Sequence, residues 1–162
     1  MDANWQTMRA TTRAAHGKKC AEDGVAFSGL HSRDWETHGV IDVLHLKGEL
    51  LRNLLHGAKV QRRKGADCIF LLLLADGTVR IVIVELKSGR DKAQAFGVQL
   101  DHSTEDVKKL AAVHQLRLCA EIGYAAPRLP DAFRGNRRLA MKRWPLFEPN
   151  VDSLGDYLDK MG

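Results

Sequence analysis

Cysteine is scarce in this chain. Its three copies, Cys20, Cys68 and Cys119, are odd in number and far apart. They match no zinc-ligand spacing, and a disulfide framework needs pairs, so reduced and mostly buried thiols are expected. Long apolar runs are lacking too. The longest, residues 69–75, falls well short of the roughly 20 residues that cross a bilayer, so no membrane-spanning protein is expected. Arg9, Arg13, Lys18 and Lys19 have no apolar stretch behind them. No secretory signal is readable, and a cytoplasmic location is expected. There is no G-x-S-x-G elbow, Walker-type phosphate loop or dinucleotide-binding glycine fingerprint. The seven histidines show no close metal-ligand spacing, and His45 and His56 are expected as surface or half-buried side chains. Aromatic residues are only 6% of the chain, so Trp5, Trp35 and Trp144 are assigned to packing ahead of base stacking.

What the chain does hold is enough apolar material for one ordinary core. Hydrophobic residues make up 44% of its 162 residues, and a core of that size needs no disulfide or metal staple. Charged residues at 28% argue against a disordered chain. No internal repeat, low-complexity tract or domain boundary is readable. Residues 1–162 are therefore read as one domain, with 1–38 as an N-terminal extension of no clean periodicity. Positive charge is in excess: the formal net charge is +5 and the pI about 9.3, compatible with a polyanionic partner. That charge is clustered. Lys59, Arg62, Arg63 and Lys64 lie just before the central hydrophobic segment, and Arg134, Arg137, Arg138, Lys142 and Arg143 form a second group. Each group is a candidate phosphate grip, with a plain solvated face as the competing reading.

Residues 8–20 read as a helix. Over 40–56 the apolar residues recur mostly at three- and four-residue spacing, a helical period. Gly48 divides that stretch, which leaves Gly48–His56 as its firmest part, with Gly57 as C-cap. Residues 68–74 are apolar on both faces, as in a strand buried inside a layered sheet. Ala75, Asp76, Gly77 and Thr78 carry turn chemistry, and the β-branched run 81–84 follows as a second strand. A helix is expected after Gly89, with Asp91 near its start. Another is expected over 106–119, unless 115–119 forms a strand. Pro127, Pro130 and Gly135 mark a loop, 138–144 a further strand, and 151–161 a closing helix capped by Asp152 or Ser153.

The chemistry concentrates at one end of the hairpin. Along its second strand Ile81, Ile83, Glu85 and Lys87 share one face, and Val82, Val84 and Leu86 the other. Glu85 and Lys87 thus interrupt an apolar pattern where the strand leaves the core, and Asp67 opens the partner strand at the same end. Asp67 and Glu85 share a face only if odd-numbered residues pair with odd-numbered ones across the hairpin. A three-residue loop of Ala75, Asp76 and Gly77 delivers that pairing, with Leu74 opposite Thr78 and Asp67 opposite Glu85. Such a loop wants glycine in the left-handed position, where Gly77 stands. A two-residue Asp-Gly turn would send the carboxylates to opposite faces. Two close carboxylates repel each other unless a cation sits between them, and hard oxygen donors suit Mg²⁺ or Mn²⁺. Such an ion can clamp a phosphate and lower the pKa of a bound water. Lys87 would lie beside that water and offset developing negative charge. A surface ion pair at a strand end is the competing reading of these three residues.

The segment GADCIFLLLLADGTVRIVIVELKSG resembles the PD-(D/E)xK, or restriction-endonuclease-like, nuclease superfamily, over roughly residues 48–100. The resemblance implies an α/β fold, a mixed central β-sheet flanked by helices in αβββαβ order. It also implies Mg²⁺- (or Mn²⁺-) dependent hydrolysis of DNA phosphodiester bonds, in endo or exo mode. By position, Asp67 matches the metal-binding Asp, Glu85 the (D/E) ligand and Lys87 the catalytic Lys, and the backbone carbonyl of Leu86 would add a metal ligand. Ala66 replaces the nominal Pro, a position that varies widely in that superfamily. A Glu on the preceding helix is common, and Glu49 is the candidate. Glu49 would complete both the catalytic and the metal-binding sets. A Gln on the following helix is also common, and Gln99 is preferred over Gln94. Lys59, Arg62, Arg63, Lys64, Arg137 and Arg138 would grip phosphates, giving salt-sensitive and mostly sequence-independent affinity. The expected partner is nucleic acid, DNA first, with a homodimer or a partner protein supplying target choice, and no membrane. The alternatives are a non-catalytic nucleic-acid-binding or assembly module on the same scaffold, and an RNA-directed or toxin-like nuclease.

Overall fold

The central hairpin sets the frame for the rest of the chain. The computed structural model describes residues 2–22, 24–57, 65–86, 93–127, 142–144, 146–149 and 151–161 and, of residues 93–96, the backbone alone. In chain order come helix α1 (Ala3–Thr11), strands β1 (Cys20–Glu22), β2 (Val25–Phe27) and β3 (Val40–Leu46), and helix α2 (Gly48–His56). Strands β4 (Cys68–Leu74) and β5 (Val79–Val84), helix α3 (Ala93–Val113), strands β6 (Gly123–Ala126) and β7 (Phe147–Pro149), and helix α4 (Leu154–Met161) follow. Strands β3 to β7 form one five-stranded sheet in sequential order, and β1 and β2 a separate ribbon. β3, β4 and β5 pair antiparallel, whereas β5–β6 and β6–β7 pair parallel. The architecture is therefore mixed α/β, a mixed sheet flanked by helices. None of the described helices is long and apolar enough to cross a membrane.

Side-chain alternation in β4 and β5 divides the core in two. Ile69, Leu71, Leu73, Ile81 and Ile83 pack with Trp5 and Met8 of α1, Leu51 of α2, and Leu100, Val107 and Leu110 of α3. Cys68, Phe70, Leu72, Val82 and Val84 pack with Val25 and Phe27 of the ribbon and with Leu154, Tyr157 and Leu158 of α4. Cover on both faces is the reason β4 is a continuous apolar run. The three-residue loop is present: the Leu74 amide donates to the Thr78 carbonyl at 2.9 Å and the Gly77 amide to the Leu74 carbonyl at 2.9 Å. Gly77 has φ +85°, a conformation glycine adopts without steric cost. The ladder runs from Cys68 opposite Val84 to Leu73 opposite Val79, with even paired to even and odd to odd.

Several expectations are corrected. Residues 40–46 are strand β3, not helix; pairing with β4 along six residues outweighs a local period that the apolar positions satisfy only loosely. The first helix spans Ala3–Thr11, not 8–20, because Asp2 caps it by accepting from the Asn4 and Trp5 amides. Trp5 and Met8 thereby join the main core. Helix α3 runs unbroken to Val113 where two helices were expected, and Gln115 at φ +54° then turns the chain. No strand was expected at the positions of β6 and β7. Of the strand expected at 138–144, Lys142 and Arg143 are helical and 138–141 lie outside the described residues. Helix α2 and its Gly57 cap match the expectation, as does α4, where the Asp156 amide donates to Ser153 Oγ at 3.0 Å.

The cysteines differ as well. Cys20 of β1 and Cys68 of β4 form a disulfide across a sequence separation of 48, because the ribbon packs over β4. Only Cys119 is a free thiol among the described residues.

Candidate metal centre

Three backbone features build a cleft at the open end of the hairpin. The first is register. The ladder ends at Cys68 opposite Val84, so Asp67 and Glu85 each lie one residue beyond its last pair, at the same end of the hairpin. The second is a charge-assisted hydrogen bond: the Leu86 amide donates to Asp67 Oδ2 at 2.7 Å, which orients the carboxylate. The Glu85 amide donates to the Ala125 carbonyl at 3.1 Å, tying this strand end to β6.

The third is direct backbone contact. A β-carbon on Gly48 would lie 2.0 Å from the Ala66 carbonyl oxygen, and one on Gly65 would lie 2.7 Å from the Gly48 carbonyl. Any other residue would hold α2 away. With glycine at both positions, the N-terminus of α2, and Glu49 with it, sits directly against the segment that leads into Asp67. From the other side Ser103 of α3, fully buried, accepts a hydrogen bond from the Ala66 amide at 2.8 Å.

The resulting cleft, about 410 Å³, is lined among others by Glu22, Lys47, Glu49, Asp67 and Leu86. The structure thus brings together Asp67, Glu49 and Leu86 of the expected set. Glu49 is exposed and Asp67 half-buried. Glu85 is 0% exposed and does not line the cleft. Gln99 is buried on α3 and does not line the cleft. Lys87 falls outside the described residues, as do Lys59, Arg62, Arg63, Lys64, Arg134, Arg137 and Arg138, and the side chain of Gln94 is likewise not described.

Two lining residues had no place in the sequence reading. Lys47 directly precedes α2 and donates from Nζ to the Lys19 carbonyl at 2.7 Å. Its position next to the glycine that starts the helix was the available signal. Glu22 arrives with β1, and only the topology reveals it.

The contact between α2 and α3 is polar. Arg52 and Asp106 are 3% and 2% exposed, with Nη1 and Oδ2 3.6 Å apart, and His56 Nε2 lies 3.0 Å from Asp106 Oδ1. This cluster holds in place the helix that carries Glu49. On the opposite sheet face, burial pulls the His45 imidazole down to about 4, with the Lys47 charge acting in the same direction, so the ring is neutral near pH 7. No protein-family model, curated protein or solved structure matches the chain.

Proposed function

We propose that this chain is a divalent-metal-dependent nuclease that hydrolyses DNA phosphodiester bonds on a PD-(D/E)xK-type core. The observation that carries this reading is the open end of the hairpin, where Asp67, held by the Leu86 amide, lines a cleft together with Glu49 and Leu86. The order α1-β3-β4-β5-α3-β6, with α2 interposed, supports the αβββαβ reading, since three antiparallel strands are followed by a helix and a strand parallel to the third.

The donor set fits a hard cation: Asp67, Glu49 and the Leu86 carbonyl are all oxygen donors, with Glu85 behind them. Bound Mg²⁺ or Mn²⁺ would supply phosphate charge neutralisation and a more acidic water. Asp67 and Glu49 would hold the ion, the Leu86 amide orients Asp67, Lys87 would offset charge at the phosphate, and Gln99 would support the group from α3. The basic residues Lys59, Arg62, Arg63, Lys64, Arg137 and Arg138 bind the DNA backbone. A second copy or a partner protein supplies target choice. A cytoplasmic location belongs to this reading, and there the Cys20–Cys68 disulfide would be held reduced.

Full burial of Glu85 favours a second reading, a non-catalytic nucleic-acid-binding module on the same scaffold, because a sealed carboxylate does not reach a phosphate. The test is cleavage of circular single-stranded and supercoiled double-stranded DNA with Mg²⁺, Mn²⁺ or EDTA, comparing the wild type with Asp67→Ala and Glu85→Ala. Cation-dependent cutting that both variants lose is expected. Salt-sensitive binding without cutting favours the binding module, and cutting that persists in EDTA or in Asp67→Ala refutes the nuclease mechanism.

A further inference from the structure

Three soft donors meet on the sheet face that Cys68 and Phe70 share. The ladder pairs His45 of β3 with Phe70 of β4, and strand alternation then puts His45 and Cys68 on one face. The imidazole stacks on Phe70 with ring centroids 4.7 Å apart. β1 packs over this face and delivers Cys20. The two sulfur atoms and one ring nitrogen of His45 all lie within 4.8 Å of one another. His45 Nε2 is buried and makes no hydrogen bond, a condition that buried polar atoms rarely tolerate without a functional reason. The backbone around the group is held: the Gly17 amide donates to the His45 carbonyl at 2.9 Å and the Lys47 amide to the Ala15 carbonyl at 2.8 Å. A cavity of about 380 Å³, lined by Cys20, His45, Phe70, Lys18 and Lys19 among others, gives access.

We propose that Cys20, Cys68 and His45 form a thiolate–imidazole site for Zn²⁺ when their disulfide is reduced. Two thiolates and a neutral imidazole are the donor types zinc selects, with a water free to take the fourth position. Tetrahedral zinc with bonds of about 2.0–2.3 Å needs donors less than about 4 Å apart; the bonded sulfurs move apart to that distance once reduced, and the His45 nitrogen already lies within 4.8 Å of both. The balance is simple. A dithiol reductant passes two electrons and two protons to the Cys20–Cys68 bond and closes to its own disulfide. Zn²⁺ then displaces both thiol protons to solvent, and His45 contributes a lone pair. The complex of one Zn²⁺ and two thiolates is neutral, as the surrounding Phe27 and Phe70 require. The spacing of Cys20, His45 and Cys68 resembles no finger motif because the sheet, not a local loop, gathers the ligands.

Co²⁺ is the probe, since thiolate ligation gives a near-ultraviolet charge-transfer band that a carboxylate site lacks. The full chain, reduced with a phosphine under argon, is titrated beside the oxidised chain and the variants Cys20→Ser, His45→Ala and Glu85→Ala, with far-ultraviolet circular dichroism of each. Expected is a band saturating at one equivalent in the reduced wild type and in Glu85→Ala, displaced by Zn²⁺. It is absent from the oxidised chain and from Cys20→Ser. In His45→Ala the affinity falls by more than about tenfold, and His45→Gln serves if the alanine variant does not fold. A reduced wild type that gains no band, folded or not, overturns the site. So does a band that survives Cys20→Ser, or an affinity that His45 substitution leaves unchanged.

Discussion

Replacing Asp106 with leucine would leave the Arg52 guanidinium charged at a position only 3% exposed. At the observed 3.6 Å separation the attraction between the two charges is about 4–5 kcal/mol at an effective dielectric near 20. Desolvation of two ions costs several kcal/mol each and offsets most of it. The pair as a whole is then worth little against an apolar pair, yet removal of one partner costs about 3–5 kcal/mol. Arg52 Nε and Nη1 make no hydrogen bond, which puts the expectation near the lower figure. Asp106→Leu should therefore lose about 3 kcal/mol, while Arg52→Leu with Asp106→Leu should lose less than about 1 kcal/mol. Urea unfolding of the four chains, with unchanged m-values, gives the coupling directly, and the melting temperature of the single variant should fall by roughly 6–12 °C. A single-variant loss below about 1 kcal/mol, or a double variant as unstable as the single, would refute this account of the α2–α3 contact.

Gly48→Ala should destabilise the chain by roughly 1–3 kcal/mol through overpacking against the Ala66 carbonyl, and it should weaken cation-dependent cleavage by displacing Glu49; thermal melts and the DNA assay report the two effects. Cys68→Ser should lower the stability of the oxidised chain by about 4 kcal/mol, the loop-closure value for the 48-residue separation, so that denaturation curves with and without reductant coincide in that variant. Burial raises the Tyr157 phenol above its ordinary value, and its hydroxyl donates to the Leu146 carbonyl at 2.7 Å. The folded state thus keeps a proton that the unfolded chain releases above about pH 10, so stability should fall as pH rises past that point. Tyr157→Phe should flatten this alkaline decline in urea midpoints measured across pH 9–11.

The hairpin was legible because two independent signals agreed: the turn residues through Gly77 set its register, and alternation along Ile81, Ile83 and Glu85 set its faces. Helix α2 was legible from its amphipathic spacing and from Gly57. Strand β3 was not, since Val40, Ile41 and Leu44 satisfy a helical period almost as well, and only the partner strand decides. The closeness of Glu49 to Asp67 depends on Gly48 and Gly65 meeting across the fold, a contact that neither local stretch announces. The Cys20–Cys68 bond and the approach of Glu22 likewise depend on where the ribbon crosses the sheet. Expected residues from Lys59 to Lys64, and Lys87 itself, stand outside the described residues.

Asp67 and Cys68 are consecutive, yet one lines the cleft and the other carries the disulfide. The peptide unit that joins them is planar, so their two α-carbons are fixed to one stiff plate. A shift of the Cys68 α-carbon that follows its sulfur chemistry is passed to the α-carbon of Asp67 at the other end of that unit. The start of strand β4 in this sense links the ribbon, through the disulfide, to the carboxylate at the cleft.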